Sequence, residues 1–262
     1  MRAKALLAVA AGALLTLPAL AQTATTPTVD DIIAKNIAAR GGKDKIAALQ
    51  TARVTGKMTM GPGMELPFVM EWKNPNRARL EFTVQGQTGI QAFDGTTGWS
   101  FMPFMGKAEP ETMPAEQQAD IEQDADFPGP LVDYQKKGHQ VRLVGKREVE
   151  GTEAYDLEIT LKNGNVVHEL IDAESFLSIK KEMKRKQGDQ EMELDQSIGN
   201  YKEVNGLMLP FSMDSHMKGA PAGSPGQTIT IDSYDFGGSI DDGRFAFPKP
   251  AAKPEAPKPP GR

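Results

Sequence analysis

The feature that most constrains the fold of this chain is an alternation of apolar and polar side chains that begins after Thr51. Across residues 64–72 every even position is apolar, whereas the odd positions include Glu65, Pro67 and Glu71. A period of two is typical of a β-strand with one apolar face. The same period recurs along most of the remaining chain, in residues 54–60, 80–84, 155–161, 177–183, 192–198, 207–213 and 229–231.

The polarity of these runs favours an antiparallel sheet over a parallel one. Strands of parallel sheets are buried on both faces and therefore appear as continuous apolar runs. Turn-forming residues lie between neighbouring runs, so we expect most connections to be hairpins and the topology to be largely a meander. These turns are Gly61-Pro62-Gly63, Asn74-Pro75-Asn76, Gly86-Gln87, Asp94-Gly95, Glu150-Gly151, Asn163-Gly164, Gln187-Gly188 and Asn205-Gly206.

Three short helices are predicted beside the strands. Thr28 and Asp31 have the spacing of a capping box at the start of a helix over residues 29–40, and a second helix is predicted over 43–49. Residues 113–124 contain helix-forming residues, are acidic and have few large apolar side chains, which predicts a surface helix. Its role stays open between a solvated connector and a mobile lid.

Both ends of the chain differ from this middle part. Residues 1–21 have two positive charges, an apolar run too short to span a membrane and a small-residue site, which is the layout of a cleaved signal peptide. We expect a polar leader over 22–27, one half-barrel domain over 28–247 and a disordered, polyproline-like tail over 248–262. The chain has no cysteine, so we expect a soluble periplasmic protein without disulfides or a lipid anchor.

Charge and motifs argue against several classes of function. A net charge of −5 gives little attraction to phosphate backbones, so nucleic acid is not an expected partner. His139, His168 and His216 are far apart in sequence and have no metal-ligand spacing. The chain also lacks a cysteine nucleophile, a Gly-x-Ser-x-Gly elbow and a phosphate-binding glycine loop. We therefore expect no metal, no cofactor and no catalysis.

One apolar face near the front of the predicted sheet is rich in methionine and aromatic side chains. Methionine suits surfaces that accept apolar partners of variable shape. The predicted helices are short for so long a sheet, so either the sheet curls on itself or its concave face holds a ligand. This predicts a mainly β protein in which a curved antiparallel sheet forms an incomplete barrel closed by short helices. The predicted ligand-binding side chains on this face are Met58, Met60, Phe68, Met70, Trp72, Phe82, Trp99 and Phe101.

Two segments resemble the LolA and LolB lipoprotein-carrier superfamily. Residues 72–82 contain a strand end, a turn with Pro75 and an arginine-bearing strand, and residues 93–103 contain an Asp-Gly turn before a Trp-x-aromatic-x-Pro strand. Residues 143–151 and 201–210 are similar to runs in exported members of this superfamily. The resemblance implies a curved half-barrel closed by helices, with an apolar cavity that binds acyl chains and without catalysis.

The resemblance also implies that Arg79 helps to hold a lid closed and belongs to the ligand-binding set. In a strand, however, successive side chains point to opposite faces, so Arg79 points away from the face of Leu80 and Phe82. Either Leu80 and Phe82 point outward, or Arg79 is an ordinary surface charge.

The expected function is that of a monomeric periplasmic carrier that buries acyl chains of lipid or lipoprotein, as in outer-membrane lipoprotein sorting. A membrane-bound donor or acceptor protein is a further expected partner. The first alternative is an envelope stress-sensing or protein-interaction module with the same fold. The second alternative is an exported hydrolase whose catalytic residues are dispersed along the sequence.

Overall fold

The computed structural model describes residues 27–61, 63–187, 190–221, 224 and 226–248. The predicted signal peptide, the leader as far as residue 26 and the tail from residue 249 lie outside these residues. Among the described residues, no helix is both long enough and apolar enough to cross a membrane.

Nearly half of the described chain belongs to one antiparallel sheet of thirteen strands, and a separate hairpin adds two more. This confirms the predicted mainly β architecture. The strand order in the sheet is β6-β5-β4-β3-β2-β1-β15-β14-β11-β10-β9-β8-β7, and β12 pairs with β13 outside it. The strands are β1 (Thr51–Met60), β2 (Glu65–Lys73), β3 (Arg77–Val84), β4 (Gln87–Phe93), β5 (Gly98–Phe101), β6 (Glu111–Thr112), β7 (Gln140–Val149), β8 (Thr152–Thr160), β9 (Val166–Asp172), β10 (Ser178–Gln187), β11 (Gln190–Gly199), β12 (Lys202–Val204), β13 (Leu207–Leu209), β14 (Ser212–Met217) and β15 (Gln227–Phe236).

The sheet has two arms that meet where β1 pairs with β15. The first arm runs from β1 to β6, and the second contains β7 to β11, β14 and β15. Strands that follow one another in sequence pair as neighbours within each arm, so the predicted meander is confirmed. Strands β6 and β7 form the two edges and are not paired with each other, so the barrel is incomplete, as predicted. The chain therefore passes from one edge to the other between residues 113 and 139.

Three α-helices lie beside the sheet, namely α1 (Val29–Ala39), α2 (Lys43–Ala48) and α3 (Ala115–Asp124). The predicted capping box at the start of α1 is confirmed, since the Thr28 side chain accepts from the Asp31 amide and the Asp31 carboxylate accepts from the Thr28 amide. Hydrogen bonds from the Thr28 side chain and backbone hold the pKa of Asp31 below its usual value. The helix thus begins where the sequence predicts.

Most of the buried apolar side chains lie on one face of the sheet, which we call the inner face. Helix α1 packs on the second arm, where Ile32 and Ile33 are buried with side chains of β8 and β9. Helix α3 packs on the first arm, where Ile121 joins the cluster that contains Val54 and Phe93. Between the arms, Ile46 of α2 is buried against side chains of β13. Each short helix therefore covers only part of the inner face.

The segment between α3 and β7 is fixed by charged side chains that bind backbone carbonyls. Arg40 donates to the Pro128 carbonyl at 2.9 Å, and Lys137 donates to the Gly129 carbonyl at 2.8 Å. Lys137 also pairs with Asp126 at 2.6 Å. These contacts hold the chain against the inner side of the molecule as it crosses between the two edges.

The outer face of the first arm is covered by residues 237–248, which we call the C-terminal strap. Phe245 in this strap has no exposed surface, and its carbonyl accepts a hydrogen bond of 2.8 Å from the Trp99 indole. Trp99 is itself only 1% exposed. The first arm therefore buries apolar side chains on both faces, unlike the sheet with one polar face that the alternation predicts.

Arginine and glutamate side chains connect the strap to β2 and β3. The Arg244 guanidinium binds Glu71 at 2.6 Å and Glu81 at 3.0 Å. Arg79 binds Glu81 at 2.8 Å and donates to the Arg244 carbonyl at 2.7 Å. Since Glu71 is buried and all these groups are paired, the network satisfies charges that would otherwise be costly to remove from water.

Replacing Phe245 with alanine should lower the free energy of unfolding by about 3–5 kcal/mol, because the substitution empties a fully buried site between the strap and the sheet. Urea unfolding monitored by circular dichroism measures this change. Phe247 on the same strap is 39% exposed and provides a matched control, for which we expect a loss below about 1.5 kcal/mol. Equal losses for the two variants would show that the strap is not packed as described.

Candidate functional site

The exposure of inner-face side chains rises along β1 from one end of the sheet to the other. Val54 is 1% exposed, Met58 is 7% exposed and Met60 is 48% exposed, although all three point to the same face. We call the end at which β1 finishes the open end of the sheet. The apolar surface at this end is therefore not fully covered by the other residues that the structure describes.

The opposite end is closed because α3 and the segment that follows it lie on the first arm. A Cβ on Gly98 would lie 3.2 Å from the side chains of both Ile121 and Met113, so the glycine lets the helix approach β5 closely. At the other end of α3, the Trp72 indole donates to the Asp124 carbonyl at 2.8 Å. The Trp72 ring also packs against Phe127, with 5.1 Å between ring centroids.

At the open end, inner-face side chains from both arms form a shallow apolar surface, which we call the trough. Strand pairing brings Met58 of β1 next to Ile229 of β15, and Ile229 next to Met213 of β14. The trough consists of Met58, Leu66, Phe82, Val84, Met213 and Ile229, with Met60, Met64 and Met217 at its rim. The three rim methionines are each about half exposed, so the apolar face continues into solvent.

A row of polar side chains crosses the trough next to the apolar row. The register places Gln227 opposite both Met60 and Ser215, and Ser215 opposite Gln196, so all three polar side chains point inward. Gln196 donates to the Ser215 hydroxyl at 3.0 Å, and Gln227 lies 3.6 Å from the Met58 sulfur. The trough thus offers hydrogen-bonding groups beside an apolar surface.

Six of the nine predicted ligand-binding residues lie on the inner face. Met58, Phe68 and Met70 are buried in one cluster, and Trp72 and Phe82 are half-buried against it. Met60 is on the same face, at the rim. Of these side chains, Met58, Met60 and Phe82 belong to the trough. Met70 and Trp72 lie toward the end that α3 covers, and Phe68, which pairs with Phe82, is only 7% exposed. Their role in ligand binding stays a prediction.

The remaining three predicted residues lie on the outer face, which corrects the expectation of a single shared face. The register pairs Arg79 with Ala92 and Ala92 with Trp99, so these side chains share one face. Phe101 lies two residues after Trp99 and therefore points to the same face. Arg79 lies over the Trp99 ring at 5.6 Å, under the C-terminal strap. Helix α3 packs on the opposite face, so Arg79 does not make the lid contact that the resemblance implied.

The predicted site omitted the second-arm residues of the trough. Met213 and Ile229 belong to alternating runs of the sequence, but nothing in those runs indicates that β15 pairs with β1. The polar row was also missed, since Gln196, Ser215 and Gln227 are ordinary surface residues by type. Only the register of β11, β14 and β15 brings these side chains together.

Helix α3 is docked on the sheet, which goes beyond the description of a solvated connector. The Gln118 side chain accepts from the Gly98 amide at 3.2 Å and donates to the Thr96 carbonyl at 3.1 Å. Ile121 is only 6% exposed. The helix therefore has one buried residue and several specific contacts, and its opening as a lid stays a prediction.

Buried polar groups beneath α1 serve packing. The Asn36 amide donates to the Phe176 carbonyl at 2.8 Å, and the Tyr201 hydroxyl donates to the Ser178 carbonyl at 2.7 Å. Burial, together with the nearby Glu169 carboxylate, raises the pKa of Tyr201, so the phenol stays protonated and can act as a donor. Each of these donors binds a backbone carbonyl and thereby ties α1 or the sheet together.

The histidines lie outside the trough. His168 pairs with Asp156 at 2.8 Å on the outer face of the second arm. His139 accepts a hydrogen bond from the Lys162 amide at 3.1 Å, and burial lowers its pKa. No group of three or more histidine, aspartate or glutamate side chains in the described part of the chain could hold a metal ion. What the arrangement offers chemically is a surface for binding apolar groups.

Comparisons with known proteins give relatives by structure alone, since no protein-family model and no characterised sequence matches the chain. A DUF1329 family protein from Desulfovibrio piger has a TM-score of 0.59 at 13% identity, over 84% of this chain and 98% of that one. A LolA superfamily protein from Nitrosomonas europaea has a TM-score of 0.57 at 14% identity, over 84% and 98%. A domain from Vibrio parahaemolyticus named for outer membrane lipoprotein sorting has a TM-score of 0.55 at 11% identity, over 82% and 94%. The chain therefore has a LolA-like fold, as the sequence resemblance implied.

Mild oxidation with hydrogen peroxide should modify the rim methionines before the buried ones, because oxidation follows solvent access. We expect Met60, Met64 and Met217 to form sulfoxide several-fold faster than Met70 and Met113, which are both less than a tenth exposed. Peptide mass spectrometry over a time course measures the rates. Equal rates at all five positions would show that the trough is either covered or collapsed.

Proposed function

We propose that this protein is a periplasmic carrier that binds lipid or lipoprotein and holds acyl chains in the trough. The proposal depends on one observation, the apolar inner face that the helices cover at one end and leave half-exposed at the other. Contiguous exposed apolar surface is uncommon in soluble monomers unless it has a partner. The LolA-like fold supports the proposal, since two similar structures are named for LolA or for lipoprotein sorting.

The side chains of the trough suit a flexible apolar ligand better than a rigid one. Three methionines at the rim and two more in the trough can change rotamer to follow the shape of a chain. Each methylene group that leaves water contributes about 0.8 kcal/mol, so affinity grows with the length of acyl chain that is buried. The open side of the trough lets such a ligand enter and leave without any covalent step.

The polar row suggests which lipids fit. Acyl chains in membranes and lipoproteins are joined to their head groups by ester or amide linkages, which need hydrogen-bond partners when they leave water. Gln196, Ser215 and Gln227 lie between the apolar row of Met58 and Ile229 and the rim. We infer that the chains lie against the apolar row, the linkage contacts the polar row and the head group stays in solvent.

A carrier must also exchange its cargo with a donor and an acceptor. A membrane-bound protein is the expected partner at one or both membranes. The signal peptide predicted for residues 1–21 supports a periplasmic location. The described chain offers the rim of the trough as the surface where a ligand would transfer.

A protein-interaction module is the second candidate function, and a different observation favours it. Strand β7 is ten residues long and forms an edge of the sheet, where no other described strand pairs with its outer side. Such an edge accepts a strand from a partner protein. A register shift between Leu143 and Gly145 interrupts the edge, and interruptions of this kind limit pairing.

Replacing Ile229 with aspartate should lower the affinity for a fluorescent long-chain fatty acid at least tenfold, which is about 1.4 kcal/mol or more. The reason is that a carboxylate in the trough loses hydration when an acyl chain covers it. Thr230→Asp provides the matched control, because Thr230 is exposed and points to the outer face of the same strand. Fluorescence titration measures both affinities, and circular dichroism checks that both variants fold.

Native mass spectrometry of protein isolated gently from cell envelopes provides a second, independent test. The carrier proposal predicts co-purifying lipid on the natural protein and on Thr230→Asp, with loss of that lipid from Ile229→Asp. Natural protein that carries no lipid and binds no fatty acid probe would contradict the proposal. A stoichiometric protein partner in place of lipid would favour the interaction module.

Replacing Gln196 with alanine should weaken the binding of a diacyl phospholipid by about three- to tenfold, the effect of one lost hydrogen bond. A single-chain hydrocarbon probe without an ester should bind as before, because its contacts are apolar only. Ser197→Ala, on the outer face of the same strand, should change neither affinity. Equal weakening for both ligands would show that Gln196 acts on the shape of the trough and not on the linkage.

A further inference from the structure

A second apolar groove lies on the outer face, at the opposite side of the sheet from the trough. It encloses about 430 Å³ between β4, β5 and the C-terminal strap. Ile90, Phe101 and Pro110 line it on the sheet side, and Ala246, Phe247 and Pro248 line it on the strap side. The Trp99 ring packs edge-on against Phe247, with 6.1 Å between centroids, and forms part of the wall. The proposed carrier function does not use this groove.

The charged groups in the groove are already paired within the protein. Arg79 binds Glu81 and the Arg244 carbonyl, and Arg244 binds Glu71 and Glu81. The charges of these arginines are therefore neutralised by glutamates, and the arginines do not offer a free anion site. The groove recognises its occupant through aromatic and proline side chains.

The rim of the groove beside Pro110 is acidic. Glu109 and Glu111 flank Pro110 and are both exposed, whereas Lys107 pairs with Glu111 and neutralises one of the two charges. The net charge of this rim is therefore negative. A groove with aromatic walls and an acidic rim suits a proline-rich segment that carries lysines, because such segments form a preorganised extended helix that packs on aromatic side chains.

We propose that the groove binds the last residues of this same chain, 249–262. This segment begins directly after Pro248, which is already part of the groove wall. Its composition matches the groove, since five prolines and four basic residues stand against one acidic residue, Glu255. These prolines and basic residues are Lys249, Pro250, Lys253, Pro254, Pro257, Lys258, Pro259, Pro260 and Arg262. The attachment at residue 248 gives the segment a high effective concentration at the groove, which favours it over a free peptide.

Binding of the segment has a physical consequence for the protein. The exposed Phe247 ring and the half-buried Phe101 ring would both lose contact with water, which stabilises the strap against the sheet. Proline-rich segments lose little conformational entropy on binding, so a modest apolar surface is enough. The segment is thus assigned to the outer face, away from the rim of the trough.

Spin labels provide a direct test, because the chain has no cysteine and introduced thiols are labelled specifically. One label is placed at Thr88→Cys, an exposed outer-face position of β4, and the other at Ala256→Cys. The full chain should give a narrow distance distribution by electron spin resonance. The variant Phe101→Ser, in the same labelled chain, should widen that distribution about twofold or more, toward the spread of a flexible linker.

Two controls keep the test decisive. Circular dichroism and thermal melting check that Phe101→Ser folds, and a chain with Pro254→Gly and Pro257→Gly, which leaves the described domain unchanged, should widen the distribution in the same way. A wide distribution in the natural sequence that none of these substitutions changes would overturn the proposal. A short distance that disappears on dilution with unlabelled protein would also overturn it, by placing the segment in the groove of a second copy.

Discussion

The pairing of β1 with β15 is the contact on which the rest of the structure depends. It joins the two arms into one sheet, with a shift in register between Thr55 and Gly56. Gly56 is required there, since a Cβ would lie 2.3 Å from the Thr230 carbonyl oxygen. Because the arms meet at this pair, Met58 lies beside Ile229, and the strap that follows β15 reaches the outer face of the first arm.

The two faces of the sheet are covered in different ways. On the inner face, three short helices cover one end, and the other end keeps half-exposed apolar side chains. On the outer face, the second arm carries ladders of paired charges such as Arg142 with Glu158, whereas the first arm is sealed by the strap. Exposed ion pairs of this kind add little stability, so the strap and the inner clusters hold the fold together. Within the described part of the chain the trough is open, because the three α-helices pack on other parts of the inner face.

The similar structures support the fold, whereas the proposed function depends on the trough itself. At 11–14% identity, similarity in fold does not carry over the ligands of the relatives. What the trough contributes is specific: an apolar row, a polar row and a methionine rim, brought together from strands of both arms. The same chain builds a second apolar groove on the other face, where the walls are aromatic and the rim is acidic.

The sequence by itself determined the strands, their turns, the capped start of α1 and the resemblance to a half-barrel family, because these depend on residues close together in the chain. The sequence also determined which side chains within one strand share a face, and therefore that Arg79 and Phe82 point to opposite faces. Only the tertiary structure decided which strands are neighbours and which face of β5 is covered. The sequence pattern predicts the wrong face for Trp99 and Phe101. The face to which a side chain of β5 points depends on its register with β4, and β4 has apolar side chains on both faces. The strap supplies the apolar cover on the outer face, and its position depends on a pairing between residues far apart in sequence.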